Sequence, residues 1–485
     1  MSAGGDLFLG VDVGTQSTKA VLVDVDTGEV VARAARAYDL LEGLPPGHAE
    51  QHPATWRDAV VGTIQQVGHG DRVRGVGVSG QQHGAVLLGE GDEVLRPAKL
   101  WCDTSAAAEA TAISEELGRT VPAGFTAPKL RWSAEREPEL WGRTRRVLLP
   151  HDHVNLFLTG EFFTEVGDAS GTGYLDPTTG EYDDAAVAAV APGLGDRLPP
   201  LRPCAEPAGS LSAEAAAALG LPPGTPVSAG GGDNMMSAIG AGATRPGVSV
   251  CSLGTSGTVF AFSDEPCVDP GGDIASFRAS SAGAGGVAGH LPLLCVMNCT
   301  EPLEDLRALT GKGHEELTAL AADAAMGEEL LVPFFVGERV PNLPDATATL
   351  SGLRPGSLSA GVLYRAALEG VALNLAAGVE RMGAIGPAPD EVRLVGGAAR
   401  NPLWQRILAT AFGVPVRVLE ETETAAVGAA LQAAAAVRGV PADELAQGFV
   451  AFAGPPVDPT ADAATRERMD RLRERLAAAV AGLRG

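Results

Sequence analysis

Residues 7–24 read LFLGVDVGTQSTKAVLVD. Apolar residues dominate positions 7–13, a Gly14-Thr15-Gln16-Ser17 turn follows, and the Val-rich stretch 18–24 returns. This pattern predicts two antiparallel strands around a tight turn. Asp26-Thr27-Gly28 is a second turn signal, so residues 29–38 complete a three-stranded meander. The opening recurs at 248–262, VSVCSLGTSGTVFAF, where Gly254-Thr255-Ser256-Gly257 separates two apolar runs. A Gly-Thr pair is common in a Gly-rich chain. The same pair with the same flanks, half a chain further on, makes a duplicated domain the economical reading.

Outward from these hairpins the chain alternates helices and strands. Pro53, Trp56, Val60, Ile64 and Val67 have helical spacing, and 73–78 and 85–88 read as strands. The second half holds a long helix at 358–382, a strand at 391–395, Gly396-Gly397, and a helix over 401–412. A short strand at 416–419 is entered through Pro415, where a missing N–H is tolerated. An Ala-rich helix at 424–437 and a charged terminal helix at 465–483 follow. The expectation is an α/β protein of two domains, residues 1–244 and 245–485, with the boundary just before the second meander.

Bulk properties narrow the function. A chain of 485 residues exceeds what one core serves. A net charge of −24 without a Lys/Arg cluster argues against a nucleic-acid partner. Any anionic ligand must be met by backbone N–H groups, helix N-termini and a cation. Six scattered cysteines, Cys102, Cys204, Cys251, Cys267, Cys295 and Cys299, read as buried thiols rather than a disulfide scaffold. Cys295 and Cys299 would share a helix face only if that stretch were helical. Residues 1–6 lack a signal-peptide pattern, and no uninterrupted apolar run reaches the roughly 18 residues of a membrane span. A cytoplasmic protein without a membrane partner is expected; a homodimer is left open.

Some motifs mislead. Gly75 to Gly80 has dinucleotide-fingerprint spacing but lies along a strand with no helix opening behind it, so it reads as structural. Gly171-Thr172-Gly173 reads as a turn, His48 and His52 as loop residues, and His151-Asp152-His153 as a helix entry capped by Asp152. Others point to chemistry. The turns at Thr15 and Thr255 offer amides and hydroxyls to phosphate oxygens. Asp12, at a strand end beside one of them, suits Mg²⁺. Gly230-Gly231-Gly232-Asp233-Asn234 follows a strand at 226–229 and precedes a helix at 235–240. Three glycines carry an entropic cost that a mere helix cap does not require. Asp233, at the helix N-terminus, is therefore read as an ionised proton acceptor of ordinary pKa. Gln82, His83, Trp101 and Asp103 leave strand ends and together suit a polyol.

At this point the chain resembles the FGGY carbohydrate kinases, and within them the xylulokinase branch, from about residue 7 to about 435. The resemblance is carried by VDVGTQSTKAVLVD, SGQQHGAVLL, GFTAPKLRW, GDASGT, GGGDN, SLGTSGTVFAF, GERVP, ALEGVA and LVGGAARNPLWQRILA, in family order. It implies two actin-like (ribonuclease H-like) domains closing on a cleft. It also implies Mg²⁺-dependent transfer of the ATP γ-phosphoryl group to a terminal hydroxyl of D-xylulose. On the matching positions it implies Asp233 as base and, with Asp12, as metal site. Gln82, His83, Trp101, Asp103 and Asn234 fall to the sugar. Thr15, Gln16, Ser17, Lys19, Gly254, Thr255, Ser256, Gly396, Gly397, Ala398 and Asn401 fall to the nucleotide. Three positions depart from the pattern: Ser105 stands where many members carry Arg, Gln82 where Met is frequent, and 342–351 lacks the usual Arg-Gly.

Two other readings use the same hairpins: an actin- or chaperone-like nucleotide switch, and a sugar sensor without turnover. No appended β-rich peptide module favours the first, and the retained Asp12 and Asp233 speak against the second.

Overall fold

The computed structural model describes residues 5–282, 288–325 and 327–484. In the first half β1 (Leu7–Val13), β2 (Ser17–Asp24) and β3 (Glu29–Ala37) form the expected meander. Helix α1 (Pro53–Val67) buries Trp56, Val60 and Ile64 against it and leads to β4 (Val73–Gly80), which pairs parallel with β1. After an inserted region that includes α2 (Pro150–Thr159), the chain returns as β5 (Pro207–Ser210), β6 (Pro226–Ser228) and β7 (Gly231–Gly232). The sheet order is β5-β6-β4-β1-β2-β3, with β7 also on β4. Helix α3 (Asp233–Gly240) follows directly.

The second half repeats the plan. Strands β8 (Val248–Leu253), β9 (Gly257–Ala261), β10 (Ala275–Ala282) and β11 (Ala288–Val296) form an antiparallel group. The long helix α4 (Ala360–Ile385) leads to β12 (Glu391–Val395), parallel to β8. Then come α5 (Pro402–Phe412), β13 (Val416–Val418) and α6 (Thr424–Arg438). The order β10-β11-β9-β8-β12-β13 places β8 and β12 where β1 and β4 stand in the first sheet. The duplication read from two turns is a repeat of whole topology. Cys295 lies in β11, so it and Cys299 share no helix face.

One sheet is built from residues before 244 and the other from residues after it, but α6 crosses back. It packs on β1, β4 and above all α3. Gly240 and Gly428 make the crossing of α3 and α6 feasible: a Cβ on Gly240 would meet Thr424 O at 2.0 Å, and one on Gly428 would meet Met236 O at 1.8 Å. A buried apolar cluster continues between the sheets, from Phe8, Val21 and Met236 to Val250, Phe260, Ala430 and Leu431. Helix α4 is long and apolar enough to cross a membrane, but 78% of its most apolar window is buried within the protein. It also carries Glu369, paired with Arg468 at 2.7 Å.

Candidate active site

Strand β4 ends at Ser79-Gly80, and β7 pairs beside those two residues. The glycine run has a steric cause. Gly230 takes φ +76°, and a Cβ there would sit 2.5 Å from Val78 O; a Cβ on Gly232 would strike Gln82 Cγ at 2.7 Å. Gly232 is the N-cap of α3 and Asp233 its first helical residue, so Asp233 is not spent on capping. Its Oδ1 accepts from Asn234 N at 2.8 Å and Asn234 Nδ2 at 3.0 Å. Asn234 Nδ2 also donates to Gln82 Oε1 at 3.0 Å, which joins three of the sequence candidates in one chain.

The electrostatics correct one expectation. Burial first, then the charges of Asp12 and Asp168, push the Asp233 carboxyl up to about 8. The helix-dipole argument from sequence gave it an ordinary value. An eight-residue helix does not outweigh desolvation next to two carboxylates.

Asp233, Asn234, Gln82, His83 and Trp101 line one cavity of about 400 Å³, together with Gly254, Thr255 and Ser256. His83 holds φ 66°, and its ring stacks on Phe125 at 4.7 Å between centroids. Burial, helped by Lys129 and Arg339, keeps its pKa well below the usual range. A neutral imidazole can both donate and accept, as a polyol requires. Asp103 does not line this cavity. It is fully buried, with Ala49 N donating to it at 2.9 Å and Lys99 Nζ 3.3 Å away. Burial works against its charge, but the Ser105 hydroxyl, the Ala49 amide and Lys99 together hold it below the usual carboxylate range. Ser105, the departure noted above, is part of this knot and accepts from Lys99 at 2.7 Å. His48 and Glu50 join the cluster, which could suggest a metal. Lys99 already supplies its positive charge, 3.3 Å from Glu50.

A second cavity, of about 870 Å³, is lined by Gly397, Ala398 and Asn401 with Thr318 and Tyr364, and again by Gly254. Asn401 caps α5 through bonds from Leu403 N and Trp404 N and donates to Thr318 Oγ1 at 2.9 Å. Gly396 lies behind the wall, because a Cβ there would meet Leu253 O at 2.6 Å. His314, between Glu304 at 2.8 Å and Tyr364 Oη at 2.9 Å, carried no sequence signal. Both cavities are lined by Gly254, the first residue of the second hairpin turn.

The first hairpin faces neither cavity. Thr15 Oγ1 donates to Gln81 at 3.0 Å and accepts from Trp101 Nε1 at 2.9 Å. Thr15 O accepts from Gln51 at 2.7 Å. Lys19 pairs with Glu423 at 2.7 Å, Gln16 is exposed, and Ser17 opens β2. Asp12 accepts from Ser79 Oγ at 2.8 Å, and burial raises its pKa.

Sequence reasoning missed a buried charge group beneath Asp233. His151 lies 2.6 Å from Asp168 and 3.0 Å from Asp152, and burial lifts nearby Glu165 to about 7. Asp152 does cap α2, accepting from Leu149 N at 3.0 Å, but its His151 neighbour is no mere entry residue. The GDASGT stretch was the available signal, since it contains Asp168.

Comparison with known proteins fits this geometry. Residues 7–240 match the N-terminal domain, and 249–437 the C-terminal domain, of the FGGY family of carbohydrate kinases. A xylulose kinase of Haemophilus influenzae is 37% identical, over 88% of this chain and 90% of that protein. One from Streptomyces rubiginosus is 39% identical, over 97% and 96%. The crystal structure of xylulose kinase from Rhodospirillum rubrum superposes with a TM-score of 0.87 at 31% identity, over 99% of each chain. Duplicated sheets, paired cavities and matches over both halves lead to one assignment: the chain belongs to the FGGY family of carbohydrate kinases.

Proposed function

We propose that the chain transfers the γ-phosphoryl group of ATP to D-xylulose, giving D-xylulose 5-phosphate and ADP. The observation that carries this is that Gly254 lines both cavities, one of which holds Asp233 and the other Gly397, Ala398 and Asn401. The choice of sugar is supported by relatives named xylulose kinase that match nearly the whole chain.

Adenosine lies against Gly397–Asn401, and the phosphates run past Gly254 to Thr255 and Ser256. The ketose lies against Gln82, His83, Trp101 and Asn234, with its terminal hydroxyl at Asp233. As the hydroxyl oxygen bonds to phosphorus, the bond from phosphorus to the ADP oxygen breaks, and the hydroxyl proton passes to Asp233. The loose transition state asks mainly for position and charge neutralisation.

Mg²⁺ fits the pair Asp12 and Asp233: each is a desolvated carboxylate, and the charge of Asp12 opposes ionisation of Asp233. Held by these two carboxylates, a divalent cation would relieve that repulsion and supply positive charge to the phosphates. The cytoplasm, where ATP is made, is the compartment this reading requires, and six free thiols suit it. The test is ATP turnover measured across xylulose, ribulose, gluconate, glycerol and fuculose. The highest kcat/KM is expected for xylulose, and a better substrate in the panel overturns the choice of sugar.

A further inference from the structure

The GERVP motif, residues 337–341, has no part in the mechanism above. Its Arg339 lines the cavity that holds Asp233, Thr255 and Ser256, and no other Lys or Arg does so among the described residues. The adjacent Glu338 does not neutralise it. That carboxylate is turned inward and is 2% exposed. Oε1 accepts from Met297 N at 2.6 Å and Arg339 N at 2.8 Å, and Oε2 accepts from Asn298 Nδ2 at 3.1 Å and Asn374 Nδ2 at 3.3 Å. Asn298 further holds Gly337 O at 2.6 Å and accepts from Phe335 N at 2.9 Å. The turn that presents Arg339 is therefore fastened from several sides, while its guanidinium makes no ion pair among the described residues. Asp273, the other carboxylate on this wall, is paired with Arg381.

A half-buried guanidinium on a fastened turn, with no carboxylate partner among the described residues, in a chain of net charge −24, is suited to an anion that comes and goes. Its field already reaches across the cavity, contributing to the depressed pKa values of His83 and Lys129. Resting on the kinase reading, we propose that Arg339 grips the phosphoryl group during transfer and then the phosphate of the sugar ester. The guanidinium stays protonated throughout. It supplies N–H donors and charge to the phosphoryl oxygens, while the electron pair of the broken bond leaves with ADP and the proton goes to Asp233.

The test uses Arg339→Met and Arg339→Lys in the full chain, with xylulose, xylulose 5-phosphate and ADP as calorimetric ligands. For Arg339→Met, kcat should fall about 10³-fold, the lower end for a phosphoryl-contacting Arg. Its affinity for the phosphate ester should drop at least about tenfold, while xylulose and ADP bind within about threefold of wild type; a conserved ADP affinity also reports an intact fold. Arg339→Lys should recover part of the ester affinity. Equal ester affinity in wild type and Arg339→Met, or an equal loss for xylulose and its ester, overturns the assignment. A wild-type protein that phosphorylates no sugar overturns the kinase reading and this inference together. An active wild type matched by Arg339→Met overturns this inference alone.

Discussion

At Gly14 the amide closes its turn on Ser17 O at 3.0 Å, and at Gly254 the equivalent amide closes on Ser256 O at 3.2 Å. Beyond that the two hairpins part. Around Thr15 the hydroxyl and carbonyl are consumed by Gln81, Trp101 and Gln51. Gln51 also accepts from Trp56 Nε1 at 2.9 Å, so the knot reaches into the helix behind the sheet. Thr255 and Ser256 instead line the cavity, and Gly254 touches both cavities. One copy of the turn braces Trp101 in the cavity wall; in the other the Thr255 carbonyl is taken by Cys299 N at 3.1 Å, and Gly254, Thr255 and Ser256 themselves line the cavity. A shared motif establishes shared geometry. What each copy does is decided by which neighbours reach it first.

The largest expected effect lies where the two halves meet. Asp233→Ala should lose about 10³- to 10⁴-fold in kcat and keep its ADP affinity, because a positioned proton acceptor contributes on that scale. Near-native turnover in single-turnover kinetics sinks the base assignment.

The hairpins themselves can be set against each other. Thr255→Val and Ser256→Ala should each raise the ATP KM or lower kcat by about tenfold, the value of a hydrogen bond to a charged group. Thr15→Val should leave the ATP KM unchanged and lower stability by about 1–3 kcal/mol in denaturant unfolding, because Trp101 Nε1 and Gln81 lose their partner. A Thr15→Val protein whose defect is confined to ATP KM breaks the contrast.

A smaller effect is a shift in pH dependence. Asp233 must lose its proton to act, and its pKa lies near 8, so at trace magnesium kcat/KM should rise with pH through about 8. Raising magnesium should move that limb to lower pH. Asp12→Asn, which removes a charge that opposes ionisation, should move it the same way at trace magnesium. A pH profile that is flat from 6 to 9 under all these conditions rules out Asp233 as the titrating group.

The two hairpins, the first meander, the helices around 235–240 and 424–437 and the GGGDN loop were legible because each is written in consecutive residues with a period or a turn signal; strands β10 and β11 were not read. The roles of neighbours were not. Asp103 and Trp101 leave the same strand end, yet one is locked to Lys99 and Ser105 while the other lines the cavity. That outcome depends on Ala49 and Lys99, which no local pattern brings together. The pKa of Asp233 was misjudged for the same reason. Its helix was visible in the sequence, but Asp168 beneath it, held by His151, is brought there only by the fold. Arg339 likewise became notable only once Glu338 was seen to be occupied elsewhere.

The crossing of α3 and α6 has a mechanical corollary. Each helix follows the parallel strands of its own sheet, and each presents a glycine at the contact, Gly240 on one and Gly428 on the other. Helices normally mesh through side-chain ridges, and turning one against another then requires rotamers to disengage. At this point backbone meets backbone, while Met236, Ala430 and Leu431 beside it belong to the apolar cluster that continues between the sheets. The contact is a seat cut to depth: a side chain on either glycine would prise the helices apart and carry Asp233, the first residue of one of them, away from its place.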